Sequence, residues 1–477
     1  MVELTSEQKF NSVPFAELEE GVLWNRVGEE ALHLLREYIR FPTVNDPESL
    51  NSEQMAHSPW LAGREAEAVQ WLAGFLKSEG IATEVLEAAP GRLNLIARLS
   101  GTEHGRAVTL LSHSDVVPVR SKEWDSGIDP FAATIRNGYL YGRGTLDLKG
   151  LGVAHLMTLM LLSRLKVPLK RDVVLLIAAD EETGGKFGAE WLLRQRPELL
   201  NTEIVLGEGG YSPRDVLPKV GTVQAISVAE KGYLELELFI ADKSHHASMP
   251  DPNDAPARLI GALSRILQIN DKIRLTPLSK ILIKQLANGA TGLHRVLSKC
   301  PGLGTRIVSK HLCASPIVSA MLKDTIAVTA LESGQKSNVV PGAARAVLSI
   351  RFLPGTDAEA LSENIRRAAD DSGLQIKRLK YKPANHSDFA TRQFKVLTKH
   401  AVDDGEPGLV TPILSPGASD CRFWRLANVN CYGWIPFVIP IGDLHSVHGP
   451  NERISITAFQ KGLRNLYRAV AEIATTA

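Results

Sequence analysis

Five short segments carry residue types that suit hydrolytic chemistry. The first is SHSD at Ser112–Asp115, directly after the aliphatic run Val108–Leu111. His113 can ligate zinc, and Asp115 can supply the partner that the second ring nitrogen needs. A lone histidine at a strand end is more often structural, so this segment decides nothing by itself. The second is GRGTLDLKG at Gly142–Gly150, where Asp147 lies between glycine-rich backbone and the start of a helix. A carboxylate there could bridge two metal ions, although Asp is also a favoured helix N-cap. The third is AADEETGG at Ala178–Gly185, after the run Val173–Ile177. Three consecutive acids at the end of a buried strand repel one another and call for a cation or a shared proton. Glu181 and Glu182 can then divide the work. One binds metal, and the other takes a proton from water whose pKa the metal lowers to about 7. A solvated acidic loop is the alternative. GEGG at Gly207–Gly210 repeats the arrangement with Glu208, and LHSVHGPNE near the C-terminus offers His445 and His448 in a Gly-Pro turn. Together these residues suit catalytic zinc, or less specifically manganese or cobalt.

The elements that must position these groups are legible as patterns. Glu29–Ile39 and Glu65–Leu76 have apolar residues at helical spacing. Asn94–Leu99, Val108–Leu111 and Val173–Ala178 read as short buried strands, and Gly150–Leu165 as a helix between the last two. Strand, helix, strand on this scale predicts an α/β fold, a sheet with helices on its faces. The character changes near residue 222. Val223–Ile240 alternates apolar and polar residues, as an antiparallel strand with one solvated face would. A helix follows at Ala255–Leu267, with further strands at Thr325–Leu331 and Ala344–Phe352. These form an α+β module, after which helix and strand patterns resume. The expected organisation is a discontinuous catalytic domain, residues 1–221 and 389–477, with a domain of residues 222–388 inserted into it.

Bulk properties exclude several function classes. The 477 residues exceed what one core usually serves. Apolar residues make up 44% and charged residues 22%, a globular composition. Lys plus Arg total 54 against 53 Asp plus Glu, so net charge gives no argument for nucleic acid, and none is expected as a partner. No apolar run reaches the roughly 18–20 residues of a membrane span. The opening MVELTSEQKF lacks the pattern of a secretory signal, and the four cysteines show no CxxC spacing. Both observations predict a cytoplasmic protein with reduced thiols. From Lys272 to Lys323 there are nine Lys or Arg residues and no Asp or Glu. This is either a solvated helical face or a basic wall facing an anionic or acyl-bearing substrate, a partner or a membrane.

In their order, SHSDVVPV, GRGTLDLKG, DEETGG, GEGG and HGPNE resemble the zinc peptidase family of carboxypeptidase G, carboxypeptidase S, succinyl-diaminopimelate desuccinylase and aminoacylase. The resemblance runs from about residue 27 to 470 and is nearest to the carboxypeptidase S branch. It implies a zinc-exopeptidase-like mixed sheet, an inserted ferredoxin-like lid and dimerisation domain, and a pair of divalent ions. His113 would bind one ion with Asp115 behind its ring, and Asp147 would bridge both. Glu182 and His448 would complete one site and Glu208 the other, with Glu181 as general base. The family pattern favours His448 over His445. A cis peptide is implied at Asp147–Leu148. SHHASMP, Ser244–Pro250, is similar to a motif whose histidine, here His246, polarises the scissile carbonyl in a neighbouring active site, which implies a homodimer. Ser244 and His245 replace that motif's glycines. Asn338 and Arg351 match positions that contact the substrate carboxylate or hold the domain interface, and SPGASDCR, Ser415–Arg422, resembles the family's substrate loop, with Gly417 and Ala418 at its glycine positions. For Arg351 an inter-strand ion pair is the plain alternative.

The expected activity is hydrolysis of amide bonds in small peptides or N-acyl amino acids bearing a free carboxylate. Carboxypeptidase, dipeptidase and N-acyl-amino-acid hydrolase are ranked in that order. A non-catalytic binding protein on the same scaffold would lack a ligand or the base, yet all six positions carry suitable residues. A zinc aminopeptidase family that shares the catalytic fold lacks the inserted domain.

Overall fold

The computed structural model describes residues 15–103, 105–215, 221–269, 273–289, 313, 316–402, 408–415 and 417–476. The chain forms two compact units. One comprises Met1–Ile226, Asp388–Val410 and Ser419–Ala477, the other Ser227–Ser387 and Thr411–Ala418.

The first unit is built on a mixed sheet. Six neighbouring strands of this sheet run in the order Ala82–Ala89, Arg92–Leu99, Val173–Ala178, Ala107–His113, Thr202–Gly207 and Cys431–Gly433. The two outermost pairings on the Ala82 side are antiparallel. The other three pairings are parallel. Strands Ala107–His113 and Val173–Ala178 are buried along their whole length, which explains why their sequences do not alternate. Between them in sequence, helix Lys149–Arg164 is buried from Lys149 through Leu162. It packs on the sheet and on helices Glu20–Ile39 and Ile456–Thr475. Because these central strands are parallel, their C-terminal ends lie at one edge of the sheet, where open α/β sheets bind ligands.

The expected helices and strands of this unit are all present, with shifted ends. The first helix begins at Glu20, nine residues before the apolar spacing becomes clear. Its early turns are held by tertiary contacts. Trp24 packs edge-on against Tyr467 at 5.5 Å, and Glu20 takes ion pairs from Arg464 and Arg468 of the C-terminal helix. The Asp147–Leu148 peptide is cis. Leu148, not Asp147, occupies the N-cap position of the following helix, so the capping alternative for Asp147 does not hold.

The second unit is an antiparallel four-stranded sheet in the order Thr325–Ser333, Ala343–Phe352, Gly232–Ala241, Gln375–Lys382. Helices Ala255–Gln268 and Ala358–Ala369 bury Leu259, Ala262, Leu263, Ile266, Ile365 and Ala369 with the sheet residues Leu236, Leu238, Leu348 and Ile350. Two expectations are corrected here. Val223–Ile240 is not one alternating strand but two strands, Thr222–Glu230 and Gly232–Ala241. The first is wholly buried, and only the second alternates. Lys231 separates them, its amine donating to Ala320 O, Lys323 O and Thr325 Oγ1 at 2.7–3.1 Å. Gly232 must lack a side chain, because a Cβ there would lie 2.1 Å from the Phe352 ring. The module also holds an unanticipated helix, Ala358–Ala369, and an unanticipated strand, Gln375–Lys382. That strand, QIKRLKYK, is an exposed sheet edge, so its sequence carries no apolar alternation.

Much of the basic stretch from Lys272 to Lys323 lies outside the described residues. Within it, helix Pro277–Gly289 buries Leu282 and Ile283 while Lys280 and Lys284 are exposed. Arg274 is tied to Thr356, Pro354 and Asp324. Among the described residues, no helix is long and apolar enough to cross a membrane. Cys313, Cys421 and Cys431 are free thiols.

Candidate metal centre

Four segments reach one edge of the sheet. His113 ends its strand, while Glu181 and Glu182 follow Val173–Ala178 in a short 3-10 turn. Glu208 follows Thr202–Gly207, and Asp147 precedes the buried helix. A fifth, the turn at His448, joins them with φ of 60°. His113 Nε2 lies 3.2 Å from Asp147 Oδ1 and 3.8 Å from Glu208 Oε2. His448 Nε2 lies 3.1 Å from Asp147 Oδ2 and 3.3 Å from Glu182 Oε2. The five groups therefore form two triads, His113–Asp147–Glu208 and Asp147–Glu182–His448, with ligand atoms within 4.8 Å of one another in each. Asp147 is common to both and turns a different oxygen to each histidine. His445 and Glu181 belong to neither triad.

The electrostatics are those of crowded anions. Burial and the Asp147 charge push Glu208 up to about 8. Burial also raises Glu182, despite its contact with His448. Burial raises Glu181 well above the carboxylate range, with Glu208 adding to the effect. The histidines respond in kind. Asp147 and Glu182 push His448 up to about 10. Burial opposes charge on His113, but Asp115, Asp147 and Glu208 hold its ring well above the usual histidine value. Burial likewise works against Asp147, and the two histidines nevertheless hold it low. Glu182 Oε1 is buried without a hydrogen-bond partner among the described residues. A divalent cation fits such a place. It supplies the positive charge the acids lack, and its binding requires the histidines to give up their protons.

A comparison with protein families matches residues 109–472 to peptidase family M20/M25/M40. The chain belongs to this family. The chain is similar to the N-fatty-acyl-amino acid synthase/hydrolase PM20D1 of Homo sapiens, 29% identical over 371 residues, covering 76% of this chain and 73% of that one. A carboxypeptidase S-like protein of Dictyostelium discoideum is 27% identical over 388 residues, covering 78% and 73%. Among solved structures, the M20 family metallo-carboxypeptidase Sso-CP2 from Sulfolobus solfataricus superposes with a TM-score of 0.68 at 20% identity, over 93% of this chain and 98% of that one. The M20 chain is thus a hydrolase, with the mixed α/β architecture of its family.

Several buried residues hold the site in shape, and of these only Asp115 was singled out by the sequence. The Asp115 carboxylate accepts from the backbone N–H groups of Glu181 and Glu182, both at 3.1 Å, and from Asn45 Nδ2 at 2.8 Å. The His113 ring meets the Asp115 carbonyl oxygen at 2.9 Å and its carboxylate only at 3.4 Å. Asp115 thus fixes the acidic turn at least as firmly as the ring. Asp180 sits at φ of 67° and pairs with Arg92 Nη2 at 2.5 Å. Arg92 also reaches Glu65 at 3.2 Å, and all three residues are buried. Asp420 is 3% exposed, with neither carboxylate oxygen partnered among the described residues. Burial pushes it up to about 7 against the opposing charge of Arg422. Asn45, Glu65 and Arg92 lie in three separate segments of the sequence, and no local pattern marks them as partners. Asp420 stood inside SPGASDCR, where its neighbours drew the assignment.

The remaining expected site residues lie in the second unit. His246 and Asn338 come together there. His245–His246 pairs with Val339–Val340, and Ala247 N donates to Asn338 O at 3.1 Å. His246 is exposed, and its Nδ1 accepts from Ser248 N at 3.2 Å. Arg351 lies 4.3 Å over the ring of its cross-strand neighbour Tyr233. No carboxylate among the described residues pairs with it, so the ion-pair alternative for Arg351 does not hold. Gly417 and Ala418 are exposed.

Proposed function

We propose that the chain hydrolyses amide bonds with two divalent cations, held by His113, Asp147 and Glu208 on one side and by Asp147, Glu182 and His448 on the other. The observation that carries this reading is the convergence of five sequence-distant groups into two triads sharing one carboxylate. The donor set, imidazole and carboxylate, suits zinc and also accepts manganese or cobalt. Bound there, the cations would polarise the substrate carbonyl and acidify a water molecule. Glu181 lies in neither triad, and a carboxylate of raised proton affinity is a competent base. It takes the proton of the attacking water and returns it to the departing nitrogen.

The second unit acts as lid and pairing domain of a homodimer. Ser248 holds the Nδ1 side of the His246 ring, its N–H at 3.2 Å and its Oγ at 2.8 Å, which leaves Nε2 as the nitrogen to serve as donor. His246 then donates to the developing oxyanion in the partner's site. His246→Ala is expected to lower kcat about 10²–10³-fold with metal content unchanged, and an unaltered rate would remove it from the mechanism. Arg351 and Asn338 are assigned to the substrate carboxylate, for which a guanidinium fork is well shaped. Gly417 and Ala418 are assigned to the loop lining the substrate.

Relatives named for N-fatty-acyl-amino acid and carboxypeptidase S-like activities support peptides or N-acyl amino acids with a free carboxylate as substrates. The reading is tested by exhaustive chelation. Hydrolysis of a dipeptide and N-acyl-amino-acid panel should cease, and zinc, manganese or cobalt should restore it. Turnover that survives removal of the metal would sink the reading.

A further inference from the structure

Glu452 belongs to the HGPNE turn but to neither triad, and it is fully buried. Its carboxylate gathers four donors from the loop that presents Asp147. Oε1 accepts from Leu146 N at 2.7 Å and from Asp147 N at 3.1 Å. Oε2 accepts from Gly144 N at 2.9 Å and from Arg143 Nη1 at 2.6 Å. The backbone adds a fifth link, Gly142 N to Glu452 O at 2.9 Å. Arg143 closes the loop back on the turn, Nη2 donating to Gly449 O at 3.0 Å, one residue past His448.

The consequence is mechanical. Asp147 and His448 are 301 residues apart in sequence, and their side chains meet at 3.1 Å. Neither stands on a long regular element. Asp147 lies in a glycine-bearing loop with Gly144 at φ of 89°, and His448 is in a turn with φ of 60°. Loops of this kind place side chains loosely unless something fixes them. One buried carboxylate fixes both at once, with an adjacent guanidinium to balance its charge. Hydrogen bonds to an ionised acceptor are the stronger class, and four on one group set the loop's height and tilt.

We propose that Glu452 is a positioning residue that sets the spacing of Asp147 and His448 and so tunes the affinity of the metal centre, without itself touching metal or substrate. The proposal rests on the two-cation reading above. Loss of the clamp should act on both ions through the shared Asp147, and most on the one that His448 holds. Partners of this kind typically change metal affinity about 10–100-fold.

The test uses the full chain. Zinc affinity and stoichiometry are measured by competition against a chelating dye, alongside the Tm of the metal-free protein and kcat and KM across zinc concentrations. Glu452→Gln keeps the volume but turns an amide N–H₂ toward N–H donors. Its zinc dissociation constant should rise about 10–100-fold, KM should stay put, and excess zinc should restore much of kcat. Glu452→Asp is measured beside it. It keeps Arg143 paired but shortens the reach, so affinity should fall in the same direction even where the Gln variant does not fold. Folded variants that bind two zinc ions with wild-type affinity, showing only a lower Tm, would overturn the proposal and leave Glu452 structural. A wild-type chain that itself holds fewer than two ions would overturn the two-cation reading and the clamp with it.

Discussion

Glu181→Gln is expected to lower kcat for amide hydrolysis by about two to four orders of magnitude while leaving two ions bound. The substitution preserves volume and the backbone bond from Glu181 N to Asp115, so the turn that carries Glu182 should persist. What it removes is the proton acceptor. The surroundings of Glu181 are arranged to make it a good one. Burial is the leading reason for its raised proton affinity, followed by the neighbouring charge of Glu208, with Asp420 and Glu182 acting in the same sense. Bound cations would offset part of that repulsion and lower the proton affinity of the carboxyl again, leaving a base that burial still favours. The check is kcat alongside metal content on the same preparation. Near wild-type kcat would remove Glu181 as the base. Loss of an ion would recast it as a ligand.

The second large effect belongs to Asp147. Asp147→Asn replaces the one group present in both triads and removes a charged oxygen from a cluster with two histidines. Both ions should weaken together. Several kcal/mol of transition-state stabilisation from the metal would go with them, on the order of a 10³-fold or greater loss of kcat. Glu208→Gln should behave differently. It touches only the triad of His113, so one ion should be lost preferentially and the other retained. Elemental analysis of both variants separates the cases. An Asp147→Asn protein that retains two tightly bound ions would show that the carboxylate is not shared.

How far the sequence foretold these arrangements varies residue by residue. His113, Glu181, Glu182 and Glu208 were visible because each ends or follows a strand buried along nearly its whole length. A continuous aliphatic run that ends abruptly in charge is a strong local contrast. Asp147 was visible through its flanking glycines, but its bridging place depends on a turn that no local propensity dictates. His448 was separable from His445 only by its resemblance to a family pattern. The structure gives a physical counterpart: the left-handed backbone at His448 brings its ring to Asp147 and Glu182. The supporting network was not legible. Asn45, Arg92 and Glu65 meet one another and Asp115, itself foreseen beside His113, through pairings of segments tens of residues apart, and their roles exist only once the sheet has formed. The same holds for strand Gln375–Lys382. It is a strand because Gly232–Ala241 offers it a partner, not because its polar sequence prefers that state.

The central claim is a pair of cations bridged by one carboxylate. Its most direct test is the metal content of the purified, catalytically active chain after back-titration of the chelated protein with zinc. The account predicts activity that rises to a plateau at two zinc ions per chain, with Asp147→Asn binding neither tightly. A plateau at one ion, or activity in the metal-free protein, would contradict it.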